Sequence, residues 1–220
     1  MGARVATSAV LCDLDGTLID SLPSLREAYR RFVADHAPDV DAPPFERWNG
    51  TALRDVVRAL ELELGLEGGH DQLLDQYLAL LEHSYVGHSA LAPGALALLD
   101  DLRARGVRTA IVTSAPREMT MRVLERCGLL ERADTVVTGD DVEQAKPSPA
   151  GYLEALRRLG VAADAAIAVE DSRAGVQAAI AAGLRCIAIS ATEADGGWIT
   201  ASGAQASPDL ADALELLRGA

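Results

Sequence analysis

Hydrophobic positions along the chain are grouped in two ways, as short continuous runs and as longer repeats with a helical period. The short runs are apolar and rich in β-branched residues, and they lie at about residues 7–13, 107–113, 134–138, 165–169 and 184–190. Runs of this length are typical of strands that are buried on both faces of a sheet. The last four runs are separated by amphipathic segments, near 117–127, 149–159 and 172–183. This alternation predicts an α/β fold with a Rossmann-like parallel sheet.

The stretch from Asp20 to about His88 has a different pattern, because its apolar residues repeat only with a helical period. It is too long for a crossover connection and too periodic for a loop. We therefore predict an all-helical cap domain of two to four helices inserted into the α/β core. The predicted boundaries are residues 21–88 for the cap, with residues 1–20 and 89–220 forming the core.

The C-terminal part is expected to end in a helix over about residues 208–218. Ser207, which precedes Pro208, is the expected N-cap of this helix, because proline suits the first helical turn. Residues 196–206 are expected to form a loop.

The charge balance indicates the kind of partner that the protein has. The chain carries 33 acidic and 20 basic residues, which gives a formal net charge of −13. Such a charge repels nucleic-acid backbones and anionic membrane surfaces, so we expect a small soluble partner. No apolar segment reaches the ~18 residues of a membrane span, and the N-terminus lacks a signal-peptide pattern. The expected location is the cytoplasm.

One basic residue differs from all the others. Lys146 is the only lysine in the chain, and the remaining basic residues are arginines. Arginine presents a planar fork of donors, whereas lysine presents a compact point charge. A single retained lysine among so many arginines indicates a position at which the point charge is needed.

Polar residues stand at the ends of the predicted strands. They are Asp13-Leu14-Asp15-Gly16-Thr17 after the first run, Thr113-Ser114 after the second, Lys146 after the third and Glu170-Asp171-Ser172 after the fourth. Ligands of open α/β sheets bind outside the carboxyl ends of the strands, so these groups are expected to converge at one edge.

The carboxylates in this set predict a metal site. Asp13, Asp15 and Asp171, together with Glu170, concentrate negative charge that a hard divalent cation would compensate. Carboxylate and carbonyl oxygens suit Mg²⁺, which commonly binds a few carboxylates and substrate phosphate oxygens.

The remaining polar groups suit a phosphoryl group. Lys146, the Thr113 hydroxyl and backbone N–H groups around Ser114 supply donors for phosphate oxygens. The expected partner is therefore a small phosphorylated metabolite.

The motifs DLDGT, VTSAP, AKPSP and VEDSRAG together resemble those of the haloacid dehalogenase-like superfamily, specifically its phosphatases with a helical cap inserted after the first strand. The resemblance covers roughly residues 8–195. It implies a Mg²⁺-dependent phosphatase that hydrolyses a small phosphomonoester through an aspartyl-phosphate intermediate.

The resemblance also implies a role for each catalytic residue. Asp13 would be the nucleophile, and Asp15 would protonate the leaving oxygen and then deprotonate the hydrolytic water. Lys146 would neutralise charge that grows in the transition state. Thr113 would bind the phosphoryl oxygens, although the neighbouring Ser114 leaves that assignment open.

The metal and substrate residues follow from the same resemblance. Asp171 would be the main side-chain ligand after Asp13, joined by the main-chain carbonyl of Asp15, with Glu170 either a second ligand or an outer partner. Gly16 would permit the tight turn beyond the catalytic pair.

The cap would supply substrate choice. Arg54 is its first candidate for a substrate contact, because a related position in sugar-phosphate enzymes carries an arginine. The alternative for Arg54 is an arginine on the helix surface.

Departures from the family pattern narrow the chemistry. True dehalogenases lack the second aspartate, which is present here as Asp15. Phosphoglucomutases carry a histidine where this chain has Leu25, which disfavours a phosphosugar mutase. A phosphoacceptor or binding protein without turnover is the other alternative. The sequence leaves the ester open among sugar phosphates, glycerol phosphate, phosphoglycolate and nucleotides.

Overall fold

A computed structural model describes residues 7–190 and 196–220 of the chain. The strands are β1 (Ala9–Cys12), β2 (Ile19–Asp20), β3 (Ala90–Leu91), β4 (Arg108–Val112), β5 (Thr135–Val137), β6 (Ala166–Glu170), β7 (Arg185–Ile189) and β8 (Gln205–Ser207). The helices are α1 (Leu22–His36), α2 (Leu53–Leu64), α3 (His70–Leu81), α4 (Ala95–Ala104), α5 (Arg117–Arg126), α6 (Ala150–Leu159), α7 (Arg173–Ala181), α8 (Gly196–Ser202) and α9 (Leu210–Arg218).

Six of the strands form one parallel sheet in the order β5-β4-β1-β6-β7-β8. β1 lies inside this sheet and is buried on both faces. Val10 and Cys12 belong to the hydrophobic core on one face, and Ala9 and Leu11 belong to the core on the other. Successive side chains of a strand point to opposite faces, which is why the run in the sequence is apolar without alternation. The predicted α/β fold is confirmed.

The expectation of a loop over residues 196–206 is wrong, because this segment contains α8 and most of β8. β8 pairs in parallel with β7 at the edge of the sheet, with Gln205 opposite Ile187. It has only three residues, of which two are exposed, so its sequence shows no continuous apolar run.

The expectation that Ser207 caps the last helix is also wrong. The N-cap of α9 is Asp209, whose carboxylate accepts a hydrogen bond of 2.9 Å from the backbone N–H of Asp212. Ser207 ends β8, and its hydroxyl donates to the backbone carbonyl of Asp209.

Helices α1, α2 and α3 lie between β2 and β3, which pair as a short antiparallel ladder. The chain therefore enters and leaves this helical insertion at adjacent points. Phe32 of α1 stacks on Tyr77 of α3 with ring centroids 4.7 Å apart, which holds the two helices together. The exact domain boundaries at residues 21 and 88 stay a prediction. Among the described residues no helix is long and apolar enough to cross a membrane.

Candidate active site

The carboxyl ends of the central strands bring most of the predicted site residues to one edge of the sheet. Asp13 follows β1, Thr113 follows β4 and Glu170 is the last residue of β6. Lys146 reaches the same place from the segment between β5 and α6, and its side chain contacts Asp13. This placement is the one expected for a ligand site in a parallel α/β sheet.

Lys146 is buried at the centre of this group. Its ammonium donates to Asp13 Oδ1, to Glu170 Oε1 at 2.6 Å and to the carbonyl oxygen of Val112 at 2.9 Å. These three acceptors use all three donors of an ammonium. Burial by itself lowers the pKa of Lys146, but the charges of Asp13 and Glu170 raise this pKa above its ordinary value. The side chain therefore stays positively charged.

Glu170 is fully buried and has hydrogen bonds on both carboxylate oxygens. Besides the ammonium, Oε1 accepts a bond of 2.7 Å from the Tyr152 hydroxyl. Oε2 accepts from the Ser172 hydroxyl at 3.1 Å and from the backbone N–H of Asp171 at 3.2 Å. A Cβ at Gly175 would lie 1.8 Å from Oε1, so a glycine is required beside this carboxylate. This bonding favours an outer position for Glu170 over direct metal contact.

Asp15 is held by two hydroxyl groups. Ser21 donates to Oδ1 at 2.8 Å and Thr113 donates to Oδ2 at 3.1 Å. Burial raises the pKa of Asp15, and the hydrogen bonds from Ser21, Tyr85 and Thr113 act in the opposite direction. The Thr113 hydroxyl also accepts a bond of 3.0 Å from the backbone N–H of Ala115. The predicted phosphoryl ligand Thr113 thus orients Asp15 in this structure.

Asp13, Glu170 and Asp171 form an acidic cluster with carboxylate oxygens within 4.8 Å of one another. Burial raises the pKa of Asp13, and burial together with the charge of Glu170 raises the pKa of Asp171. The Lys146 ammonium balances part of this negative charge, and the oxygen donors that remain suit a hard divalent metal ion. The residues present therefore fit a divalent metal.

Gly16 lets this cluster form. Its φ of +93° lies in the left-handed region, and a Cβ here would be 2.1 Å from Asp171 Oδ2. Any other residue would both strain the backbone and displace Asp171. Gly16 therefore has two roles: it allows the turn, as predicted, and it leaves room for the Asp171 carboxylate beside the backbone.

A cavity of about 90 Å³ lies above Asp13 and Asp15, between the sheet edge and the helical insertion. Its volume is well below the roughly 300 Å³ or more of pockets for drug-sized ligands, which indicates a small substrate. The Ser114 hydroxyl donates at 2.8 Å to the carbonyl oxygen of Gly50 in the insertion. This bond holds the insertion against the core at the cavity.

Arg54 does not line this cavity. Its guanidinium donates to the backbone carbonyl of Glu143 at 3.1 Å and to that of Val142 at 3.4 Å. Arg54 therefore ties α2 to the core, and this geometry gives no support to the predicted substrate contact.

Several residues that contact the site were given no role by the sequence analysis. Tyr152 belongs to the apolar face of α6 and looks like an ordinary core aromatic, yet its hydroxyl reaches Glu170. Ser21 precedes a helix, where serine is common for capping, but its hydroxyl bonds Asp15 instead. Ser172 directly follows the predicted acidic pair, so its position in the VEDS motif could have indicated it.

Residues 10–189 match a family model described as haloacid dehalogenase-like hydrolase. This chain belongs to that family. Validoxylamine A 7'-phosphate phosphatase from Streptomyces hygroscopicus subsp. limoneus is 34% identical over 83% of this chain and 85% of the relative. A phosphoglycolate phosphatase from Rhodospirillum rubrum is 36% identical over 83% of this chain and 79% of the relative. The predicted family and enzyme class, a haloacid dehalogenase-like phosphatase, are confirmed.

Solved structures of other proteins share this fold. CbbY from Rhodobacter sphaeroides, in complex with phosphate, is 27% identical with a TM-score of 0.73, covering 83% of this chain and 86% of that chain. A hydrolase from Pseudomonas syringae has a TM-score of 0.83 and covers 97% of this chain and 99% of that chain. At 23% identity, the second likeness concerns the fold alone.

Proposed function

We propose that the protein is a Mg²⁺-dependent phosphatase that hydrolyses a small phosphomonoester through an aspartyl-phosphate on Asp13. The observation that carries this proposal is the buried contact between Asp13 and Lys146, with Asp15 and Asp171 at the same edge of the sheet. A carboxylate fixed beside a permanent positive charge is placed to attack an anionic phosphoryl group.

In the first step, a carboxylate oxygen of Asp13 attacks phosphorus and the ester P–O bond breaks. Asp15 gives its proton to the leaving alcohol oxygen. Burial raises the pKa of Asp15, which favours the protonated acid needed at this point. Ser21 and Thr113 hold the carboxyl group in position for the transfer.

In the second step, water attacks the phosphorus of the aspartyl-phosphate. Asp15, now a carboxylate, takes the proton from this water, and phosphate leaves with Asp13 restored. Lys146 faces Asp13 throughout and stabilises the negative charge of the phosphoryl oxygens.

Asp13 and Asp171 are the side chains that would hold Mg²⁺, together with the main-chain carbonyl of Asp15. When bound, the ion neutralises the carboxylates and the substrate phosphate so that the two anions can meet. Glu170 would not contact the ion directly, because its carboxylate oxygens already accept hydrogen bonds from Lys146, Tyr152 and the backbone N–H of Asp171. Its role is to hold Lys146 in place.

The phosphosugar mutase is the weaker alternative. Leu25, which stands where phosphoglucomutases have a histidine, lines the cavity with an apolar side chain. A leucine cannot exchange a proton with a substrate hydroxyl.

The test is phosphate release from a panel of small phosphomonoesters, followed over many turnovers with Mg²⁺ and with a chelator. We expect turnover that the chelator abolishes. A folded protein that releases at most one phosphate per molecule would instead favour the phosphoacceptor alternative.

Asp13→Asn, tested on the same panel, is expected to have no measurable turnover while circular dichroism shows a native fold. Asp20→Asn is the matched control, since Asp20 is an exposed aspartate on the same segment. Substantial activity of the Asp13 variant would disprove its role as nucleophile.

A further inference from the structure

The described residues that line the cavity above Asp13 and Asp15 are mostly apolar, and none of them carries a cationic side chain. Leu25, Phe45, Trp48, Leu53 and Met119 form much of the wall that faces the two aspartates. No arginine, lysine or histidine lies among the described residues that line the cavity, and the two aspartates are their only charged members. An anionic group on the alcohol part of a substrate would face this hydrocarbon wall, and no cationic side chain of the described lining would pair with it.

Three arginines that are sequence neighbours of lining residues have other partners. Arg47 donates to both carboxylate oxygens of Glu63, at 2.7 and 2.8 Å, and Arg26 donates to Glu46 at 2.9 Å. Arg54 donates to backbone carbonyls of the core. Each would have to leave these acceptors to meet an anion in the cavity.

Asn49 Oδ1 is a polar atom of the cavity wall that is buried and has no hydrogen-bond partner among the described residues. The Tyr85 hydroxyl lies in the same wall and interacts with Asp15. Buried polar atoms are normally bonded, so an unpaired amide oxygen in the cavity wall indicates a ligand that carries a hydrogen-bond donor, such as a hydroxyl group.

We infer that this cavity selects phosphate monoesters of small, neutral, hydroxyl-bearing alcohols and discriminates against esters whose alcohol carries a carboxylate or a second phosphate. The inference rests on the proposed phosphatase function, because the cavity receives the alcohol only if Asp13 attacks the phosphorus. Moving an unpaired anion out of water into an apolar wall is costly, whereas a hydroxyl of the alcohol can donate to Asn49 Oδ1. Phosphoglycolate, which stands in the names of several relatives, carries such a carboxylate.

Two esters of nearly equal size test the inference directly. 2-Hydroxyethyl phosphate and phosphoglycolate differ only in an alcohol or a carboxylate at the far end. We expect kcat/KM of the wild-type protein with Mg²⁺ to be at least about tenfold higher for 2-hydroxyethyl phosphate. Equal values, or a preference for phosphoglycolate, would overturn the inference and leave the phosphatase proposal standing.

A pair of variants at Leu25 tests whether a cation in the cavity wall changes the specificity. Leu25→Lys is expected to raise the phosphoglycolate to 2-hydroxyethyl phosphate ratio of kcat/KM by at least about tenfold. Leu25→Met has similar length without charge and is expected to keep the wild-type ratio. If the lysine variant folds but leaves the ratio unchanged, the missing cation is not what sets specificity, and the inference is overturned.

The two proposals fail in different ways. If neither ester nor any other member of the panel is turned over, the phosphatase proposal fails and the inference fails with it. If Leu25→Lys does not fold, the wild-type comparison of the two esters still decides the inference.

Discussion

Lys146 shows at the scale of one residue how composition and geometry agree. It is the only lysine in the chain, and its ammonium is enclosed by oxygens of Asp13, Val112 and Glu170. Each acceptor takes one of the three donors, so the pocket fits a compact tetrahedral group. A planar guanidinium is larger and directs its donors along a fixed fork.

We therefore expect Lys146→Arg to lower kcat by about 100-fold or more, because the charge no longer sits beside Asp13. Phosphate release measures this effect. Arg185→Lys is the reverse exchange at an exposed position on β7 and is expected to retain normal turnover. A near-normal rate for Lys146→Arg would contradict the role given to the point charge.

At this scale the sequence predicts which residues meet but not how they are held. Asp13, Asp15, Lys146 and Asp171 are predicted because each follows a strand whose position in a parallel sheet is known in advance. The hydroxyl of Tyr152 is not predicted, because its contact with Glu170 depends on how α6 packs against β6. Side-chain partners from distant segments are set by packing, which a local pattern does not contain.

At the scale of elements, Asp141 fixes the turn that leads from β5 towards Lys146. Its Oδ2 accepts from the backbone N–H and the hydroxyl of Thr138, both at 2.8 Å, and its Oδ1 accepts from Arg158 at 2.6 Å. Burial opposes ionisation, but the hydrogen bonds from Arg158 and Thr138 lower the pKa of Asp141 to about 2.

Because this folded-state pKa lies below the unfolded value, the ionised carboxylate stabilises the fold at neutral pH. This stabilisation is lost as pH falls from about 4 to about 2. We expect Asp141→Asn to lower the free energy of unfolding by about 1–2 kcal/mol at neutral pH. Urea unfolding at a series of pH values should show this difference shrinking in acid. A difference that stays constant down to about pH 2 would argue against the ionised carboxylate as its source.

Elements are predictable where burial is complete. β1 is buried on both faces, so its apolar run is visible in the sequence. The edge strand β8 is short and mostly exposed, so its formation depends on pairing with β7 and cannot be seen locally. The same limit applies to Ser207, which looks like a helix cap until the strand and Asp209 are in place.

At the scale of the whole molecule, the chain has a formal net charge of −13, and part of its negative charge lies in the acidic cluster of Asp13, Glu170 and Asp171. Without a cation, Asp13 and Asp171 repel each other and the neighbouring Glu170, which is one reason their pKa values are raised. A ligand that binds only the folded state stabilises it by mass action, by about 2.7 kcal/mol at 100 times its Kd.

We expect Mg²⁺ to raise the Tm of the wild-type protein beyond the effect of a sodium salt at equal ionic strength. Asp13→Asn should have a higher Tm than wild type without metal and a smaller Mg²⁺ shift, because one repelling carboxylate and one ligand are gone. Differential scanning calorimetry measures both quantities. An undiminished Mg²⁺ shift in Asp13→Asn would show that the ion binds elsewhere.

The cavity is also a property of the whole molecule, because distant segments of the chain form its wall. Tyr85 of the insertion and Met119 of α5 are far apart in sequence and meet only when the insertion lies on the core. The resemblance to sugar-phosphate enzymes made Arg54 the first candidate for a substrate contact, with an arginine on the helix surface as the alternative. In the structure the Arg54 guanidinium donates to backbone carbonyls of the core. Family motifs predict the phosphate site, and the three-dimensional cavity is needed for the alcohol.

The most direct test of the account is to trap the intermediate. Wild-type protein turning over with Mg²⁺ is quenched in acid and treated with borohydride, which reduces an acyl phosphate to an alcohol, and the peptides are mapped by mass spectrometry. The account predicts reduction at Asp13, dependent on both substrate and Mg²⁺ and absent from the Asp13→Asn variant. Reduction at another carboxylate, with Asp13 unmodified during turnover, would contradict it.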